Sequence, residues 1–344
     1  MTRFLRSASK FRAFINAAIV LAAVPATSVF TSVFTSVFNV NLATAQPASL
    51  ASTPRHLRSL VTPVAVFGTD ERKSIPGRHT ALSQKIGILT LDGSTICSAF
   101  CVAPDLIATA SHCLFGTAGS AKPNLTKFAF KIGSGQSHQS TRFAVSAETD
   151  THGNVRSGTE NLSLSPPIEA ANDWAVARLA RPICRAGGIT LSYKSRAGIA
   201  DASEQGHVFQ VAMHRDLAST SIVFGGPCAI KEAFPDASAG MIARDFADPD
   251  SIILHDCDTG PGSSGSPMLI DTPGGPEVIG INVGTYVLSR VLDKTADNGS
   301  GTHSEAIANT ALETSRFRAA VEELATLPHM SVLQRIKPVS LPSH

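Results

Sequence analysis

Charge is scarce in this chain of 344 residues: 16% are Asp, Glu, Lys or Arg, against about 25% in an ordinary soluble domain. No run of five or more basic residues occurs, which excludes a dedicated nucleic-acid tail. No G-x-y, heptad or solenoid period runs through the chain, so collagen-like, coiled-coil and repeat architectures are excluded. No C-x-x-C pair is present; Cys97 and Cys101 stand as C-x-x-x-C, and no histidine lies at zinc-finger spacing from a cysteine pair. No metal or cofactor is therefore expected. From Ala13 to Pro54 there is no charged residue at all. What is plentiful is apolar: 43% hydrophobic content and 17 Phe exclude global disorder. The length corresponds to about two domains of roughly 150 residues each.

The charge gap has a reading of its own. Arg3, Arg6, Lys10 and Arg12 precede an apolar run from Ala13 to Val24, ended by Pro25. The small-residue pattern Ala43-Thr44-Ala45 follows, before Gln46. These are the parts of a secretory signal peptide over 1–45, lengthened by Thr-Ser-Val-Phe repeats at 27–30, 31–34 and 35–38. The rival is an uncleaved membrane anchor. The strongly apolar stretch falls well short of the about 20 residues that span a bilayer, and Pro25 with the repeat hydroxyls weakens a longer one. Residues 46–65 read as a propeptide or linker and 328–344 as a C-terminal tail. All 27 acids lie after the gap and four of the 29 bases before it, so the net charge of +2 becomes −2 without the leader. A secreted or periplasmic protein is expected, with no membrane attachment after cleavage. In an oxidising compartment six cysteines imply bridges, although six allow 15 pairings.

Beyond Val64, short apolar runs recur between turn signals: 86–91, 127–132, 175–179, 206–212, 251–254, 267–270 and 278–283. Asp92-Gly93 and Asp271-Thr-Pro-Gly-Gly275 read as hairpin turns. Many short strands at this spacing predict an all-β protein. One helix is predicted over 315–324, where Phe317, Ala320, Val321 and Leu324 recur at i, i+3, i+4, i+7. Residues 152–170 and 292–304 read as exposed loops.

Three segments carry chemistry. Asp258-Thr-Gly-Pro-Gly-Ser-Ser-Gly-Ser-Pro267 brackets Ser264 with glycines. The G-x-S-x-G elbow of α/β-hydrolases fails there, and by itself the segment is equally a functionless Gly/Ser loop. Ile107-Ala-Thr-Ala-Ser-His112-Cys113 places a histidine after an apolar strand, where a lone His is commonly structural. Asn172-Asp173-Trp174-Ala-Val-Ala places an Asp in a turn before a strand, which is commonplace. Together they offer a nucleophile, a base and a carboxylate to orient the base.

In combination these segments resemble the chymotrypsin-like serine proteases. Thr109-Ala-Ser-His112-Cys113 is similar to the family's T-A-A-H-C box, Asp173-Trp-Ala-Val to D-[IL]-A-[LV], and Gly262-Ser-Ser-Gly-Ser-Pro267 to G-D-S-G-G-P. Val278-Ile-Gly-Ile-Asn-Val-Gly284 resembles the strand lining the substrate cleft. The G-x-S-G-S-P form, Cys257-Asp-Thr and Val66-Phe-Gly-Thr-Asp-Glu-Arg72 look most like the bacterial glutamyl-endopeptidase branch. The resemblance implies two Greek-key six-stranded β-barrels over 66–327, with the active site between them and a C-terminal helix. It implies Ser264 as nucleophile, His112 as general base and acid, Asp173 as its orienting carboxylate, and the N–H groups of Gly262 and Ser264 as the oxyanion hole.

Departures from the family pattern matter too. Ser263 stands where the family has an Asp that pairs with a new N-terminal amine, so that activation switch is not expected here. The 61 residues from His112 to Asp173 exceed what the branch implies, with the excess placed at 152–170. Substrate contacts are implied for Asp258, Thr259, Asn282 and Thr285. Asp258 would favour a basic side chain, while the glutamyl branch implies that Thr259 would contact an acidic substrate side chain, with Asn282 standing where that branch has a His. Acidic, basic and small or apolar preferences all stay open. The family's bridge around the catalytic His implies Cys97–Cys113, where Cys97 precedes Cys113 by 16 positions. Cys228–Cys257 would close the segment before the serine loop, and Cys101 and Cys184 are bridge or buried thiols. The expected activity is that of a monomeric serine endopeptidase acting on a protein or peptide. The alternatives are a non-catalytic binding protein on the same fold and a processing enzyme with one partner.

Overall fold

Two antiparallel sheets carry the chain. The computed structural model describes residues 65–133, 138–147, 150, 153–217, 222–235, 237–291 and 302–327. The leader, all of the propeptide or linker except residue 65, and the tail at 328–344 lie outside the described residues.

The first sheet contains β1 (Ile86–Leu91), β2 (Ser94–Ala103), β3 (Leu106–Thr109), β4 (Phe128–Ile132), β5 (Gln139–Arg142), β6 (Val155–Ser157) and β7 (Ala175–Arg178), in the order β5-β4-β1-β2-β3-β7-β6. A short helix, α1 (Ser111–Phe115), follows β3 directly. Asp92 (φ 49°) and Gly93 (φ 83°) make the tight turn from β1 to β2, as the Asp-Gly signal predicts. Past β5, Phe143 bridges to Leu179 beyond β7, with Ala144 N–H donating to Arg178 O at 2.8 Å and Ala180 N–H to Arg142 O at 2.9 Å. These bonds close the sheet on itself. Phe100, Phe128, Phe130, Ile86, Leu89, Leu106 and Ile107 fill it and are fully buried. Each contributes about 1.5–3 kcal/mol by leaving water.

The second sheet contains β8 (Thr190–Leu191), β9 (Val208–Met213), β10 (Ile222–Gly225), β11 (Ile252–His255), β12 (Pro267–Ile270), β13 (Glu277–Val291) and β14 (Thr302–Glu313). Its order is β10-β9-β12-β13-β14-β11, with β8 added beside β13. The chain after β10 pairs Ile230 with His255 on β11, and Lys231 N–H donates to Leu254 O at 3.1 Å. That pairing closes the second barrel. Without the short β6 and β8, both barrels have six strands and one cyclic order: first, second, third, sixth, fifth, fourth. This is the repeated Greek-key plan that the resemblance implies.

Helices α2 (Arg196–Glu204) and α3 (Ala239–Asp245) were not legible in the periodicity. Each is short with few buried apolar residues, and each begins at a serine, Ser195 or Ser238, whose side chain accepts a backbone N–H at 3.3 Å. The expected C-terminal helix is α4 (Arg318–Thr326), which buries Ala320, Val321 and Leu324. It packs on the first barrel: Phe317, just before it, meets Phe100 edge-on at 6.5 Å, and Arg178 of β7 donates to the carbonyls of Leu324 and Leu327. The loop at 152–170 includes strand β6. Of the loop at 292–304, residues 302–304 already belong to β14, while 292–301 lie outside the described residues.

Three disulfides form: Cys97–Cys113, Cys101–Cys184 and Cys228–Cys257. The open question of Cys101 and Cys184 is thereby answered as a bridge. No helix among the described residues is long and apolar enough to cross a membrane.

Candidate active site

His112 sits on α1, where β3 leaves the first barrel, and the Cys97–Cys113 bridge ties that turn back to β2. Asp173 follows a helical turn at Ala170–Asn172, just before β7, and is almost completely buried. Its carboxylate takes three donors. Oδ2 accepts from His112 Nδ1 at 2.6 Å. Oδ1 accepts from the backbone N–H of His112 and from Ser111 Oγ, both at 2.9 Å. A carboxylate so placed fixes the proton on Nδ1 and leaves the Nε2 lone pair free. The turn is pinned from the second barrel: Arg316, after β14, donates to Ala171 O at 3.2 Å, Asn172 Oδ1 at 2.8 Å and Asp248 Oδ2 at 3.0 Å.

Burial works against a charged imidazole at His112. The charge of Asp173 and its hydrogen bond together outweigh burial, so the His112 pKa lies above its ordinary value. In an NMR titration His112 is expected to change charge above pH about 6.5. In Asp173→Asn the negative charge is lost while burial remains, and the midpoint is expected to fall. A midpoint unmoved by the substitution would mean that Asp173 does not control the imidazole.

Ser264 lies in the loop between β11 and β12. Gly262 (φ 98°) and Gly265 (φ 81°) occupy the left-handed region on either side of it. A Cβ on Gly265 would stand 2.1 Å from Thr109 Oγ1 and 2.3 Å from Ser98 O. The loop is therefore pressed onto the end of β3, three residues before His112. Ser98 of β2 fastens it: its N–H donates to Ser264 O at 2.9 Å and its hydroxyl to Gly262 O at 2.9 Å. Met213 N–H donates to the same hydroxyl at 2.9 Å, which links β9 into the clamp. Among the described residues no hydrogen bond joins His112 Nε2 to Ser264 Oγ. That pair is commonly loose without substrate.

The backbone donors of the loop divide sharply. Ser263, Gly265 and Ser266 N–H groups donate to Gly260, Asn282 and Ser263 carbonyls at 3.0, 2.8 and 3.0 Å. Among the described residues the N–H groups of Gly262 and Ser264 have no acceptor. Two unpaired N–H groups on either side of one residue make a site for a negatively charged oxygen.

The residues expected to contact substrate have other partners as well. Asp258 Oδ1 accepts Phe67 N–H at 3.0 Å and Oδ2 accepts Glu71 N–H at 2.8 Å, so the carboxylate holds the segment that opens the domain. Thr259 N–H donates to Ala65 O at 3.1 Å. Arg72 reinforces this segment by gripping Asp216 with both Nη atoms, at 3.1 and 2.8 Å. Thr285 donates to Asn309 Oδ1 at 2.7 Å. Asn282 is buried and turned toward the serine loop. Sequence reasoning missed Ser98, Ser111 and Arg316, for which no local pattern gives a signal. Cys97, His112 and Cys113 bring potential metal-ligand atoms within 4.8 Å of one another. Both sulfurs are spent in the disulfide and offer no thiolate.

A family model described as a trypsin-like peptidase domain matches residues 97–281. That span holds His112, Asp173 and Ser264. No curated protein matches the chain. Among solved structures, one described as a Glu endopeptidase in complex with MPD is 17% identical, with a TM-score of 0.48. The match covers 76% of this chain and 97% of the other.

Proposed function

The chain belongs to the trypsin-like peptidase family, and we propose that it hydrolyses protein or peptide substrates through an acyl-enzyme on Ser264. The observation that carries this reading is the pair of unpaired N–H groups at Gly262 and Ser264, beside a hydroxyl and across from the Asp173–His112 pair. Ser264 Oγ attacks the carbonyl carbon while His112 Nε2 takes its proton. The carbonyl oxygen becomes an oxyanion and receives the two N–H groups. His112 then gives its proton to the departing amine, and the C–N bond breaks. Water then attacks the ester carbonyl and loses a proton to Nε2, which passes it to Ser264 Oγ as the ester C–O bond breaks. Asp173 holds the imidazole throughout.

Among the implied substrate contacts, Thr259 and Thr285 are uncharged, and both oxygens of Asp258 hold backbone N–H groups. This supports a preference for an uncharged side chain at the cleaved bond. Three disulfides and a leader with a basic start and an uncharged apolar run support export to an oxidising compartment, where the enzyme acts as a monomer without nucleic acid or membrane.

A serine-directed fluorophosphonate tests the reading. The mature protein is expected to be labelled at Ser264, and Ser264→Ala is expected to remain unlabelled. A folded, processed protein that resists the reagent would instead be a binding protein on this fold.

A further inference from the structure

Ser263 occupies the position between the two unpaired N–H groups, and it is buried. The peptide unit that joins it to Ser264 carries one of those two N–H groups. Whatever fixes Ser263 therefore fixes the direction in which that N–H points. The side chain of Ser263 is reached by Asn282 of β13, whose Nδ2 donates to Ser263 Oγ at 3.3 Å. The backbone of Asn282 grips the same loop: its N–H donates to Ser266 O at 2.9 Å, and its carbonyl accepts Gly265 N–H at 2.8 Å. Asn282 thus touches 263, 265 and 266 and encloses Ser264 between its contacts.

The amide of Asn282 has its own anchor. His255 of β11 is completely buried, and its Nε2 donates to Asn282 Oδ1 at 3.2 Å. With Oδ1 accepting there, Nδ2 is left facing Ser263. The other ring nitrogen, Nδ1, is buried without a partner among the described residues. Burial pushes the His255 pKa down to about 4, against the opposing effect of the Asn282 bond, so the ring is neutral near pH 7. An apolar side chain would fill this space without stranding a polar atom. A buried polar group kept with an unsatisfied atom calls for a role beyond packing.

We propose that His255 and Asn282 are positioning residues, forming a buried neutral chain through Ser263 that holds the oxyanion-binding loop in its active shape. This rests on the catalytic reading above. It gives Asn282 a different task from substrate contact: the side chain faces the loop, and both its polar atoms are already engaged. It also explains how the loop is ordered with Ser263 in place of a charged residue. No ion pair and no new chain end is needed, because the loop is held by uncharged groups already present on β11 and β13.

The test compares Asn282→Leu, Ser263→Ala and His255→Phe with the wild type, using a peptide amide substrate, a peptide boronic acid and the product peptide. Boron accepts the Ser264 oxygen and becomes tetrahedral, so the boronic acid reports on the oxyanion site, while the product peptide reports on ordinary binding. Each variant is expected to lose about 10- to 100-fold in kcat, less than loss of a whole oxyanion donor. KM and product-peptide affinity are expected to stay within about threefold, and boronic-acid affinity to fall in step with kcat. Ser263→Ala removes one oxygen atom and keeps the readout available if a larger change prevents folding. A raised KM with full kcat would return Asn282 to the substrate pocket and overturn the proposal. So would lower melting temperatures with unchanged kcat and boronic-acid affinity, which mark packing alone. Fluorophosphonate labelling of the wild type separates the two readings. A labelled wild type with unaffected variants overturns this inference only, whereas an unlabelled wild type overturns the catalytic reading and this inference with it.

Discussion

Ser264→Ala and His112→Ala are each expected to lower kcat by about 10⁶-fold, and the double variant is expected to lose no more than either one. On the proposed mechanism the three side chains act as a unit: a hydroxyl without its base is a poor nucleophile, and a base without its hydroxyl has no proton to take. Removing the second member of a broken unit therefore removes nothing further. The rate left over is expected to remain about 10³- to 10⁴-fold above that in water, because the N–H groups of Gly262 and Ser264 still receive the oxyanion. Folding should be spared. The loop is fastened through backbone carbonyls, Ser98 N–H to Ser264 O and Ser98 Oγ to Gly262 O, both at 2.9 Å. Neither bond involves the Ser264 hydroxyl. Steady-state kinetics of the three variants, with melting temperatures in parallel, check this. Losses that multiply in the double variant would mean that His112 and Ser264 act independently.

The parts of this site that were legible beforehand are those with a local signature. His112, Asp173 and Ser264 each lie in a short segment whose residue types follow from the chemistry, and the Asp92-Gly93 turn and the helix near 315–324 follow from local geometry. What escaped depends on contacts far apart in sequence. Ser98 is unremarkable until β2 is laid against the serine loop, more than 160 positions later. Ser111 differs from the family's alanine by one oxygen, and only the fold shows that oxygen donating to Asp173. The family resemblance implies Asp258 as a specificity residue, since a buried carboxylate at that position would attract a basic side chain. In the folded chain its partners are two backbone N–H groups of the opening segment, which no pattern around residue 258 reveals. Asn282 is a similar case. Its position on the cleft strand was legible, while the direction of its side chain depends on His255, on a neighbouring part of the barrel.

The same limit applied to the cysteines, and it leads to a large expected effect on stability. Cys101 and Cys184 are 83 positions apart, compared with 29 for Cys228–Cys257 and 16 for Cys97–Cys113. In the chain-entropy model a bridge stabilises by restricting the unfolded chain, with about 3 kcal/mol for a 15-residue loop and about 4.7 kcal/mol for a 100-residue loop. Cys101→Ala/Cys184→Ala is therefore expected to be the most destabilising of the three paired replacements, at about 4–5 kcal/mol. For a domain of this size that is a fall in melting temperature of roughly 10–15 °C. The folded geometry at this bridge has other support: Ile189 N–H donates to Cys101 O at 2.8 Å and Cys184 N–H to Pro104 O at 3.1 Å. Activity at 25 °C is therefore expected to persist. Cys97→Ala/Cys113→Ala should show the opposite balance. It returns less entropy to the unfolded chain, but it frees the helical turn that carries His112, so kcat should fall more than stability. Thermal melts and kcat measured on both double variants separate the two effects. If the 16-residue bridge proves to cost more stability than the 83-residue one, native strain and packing, rather than loop length, set the order.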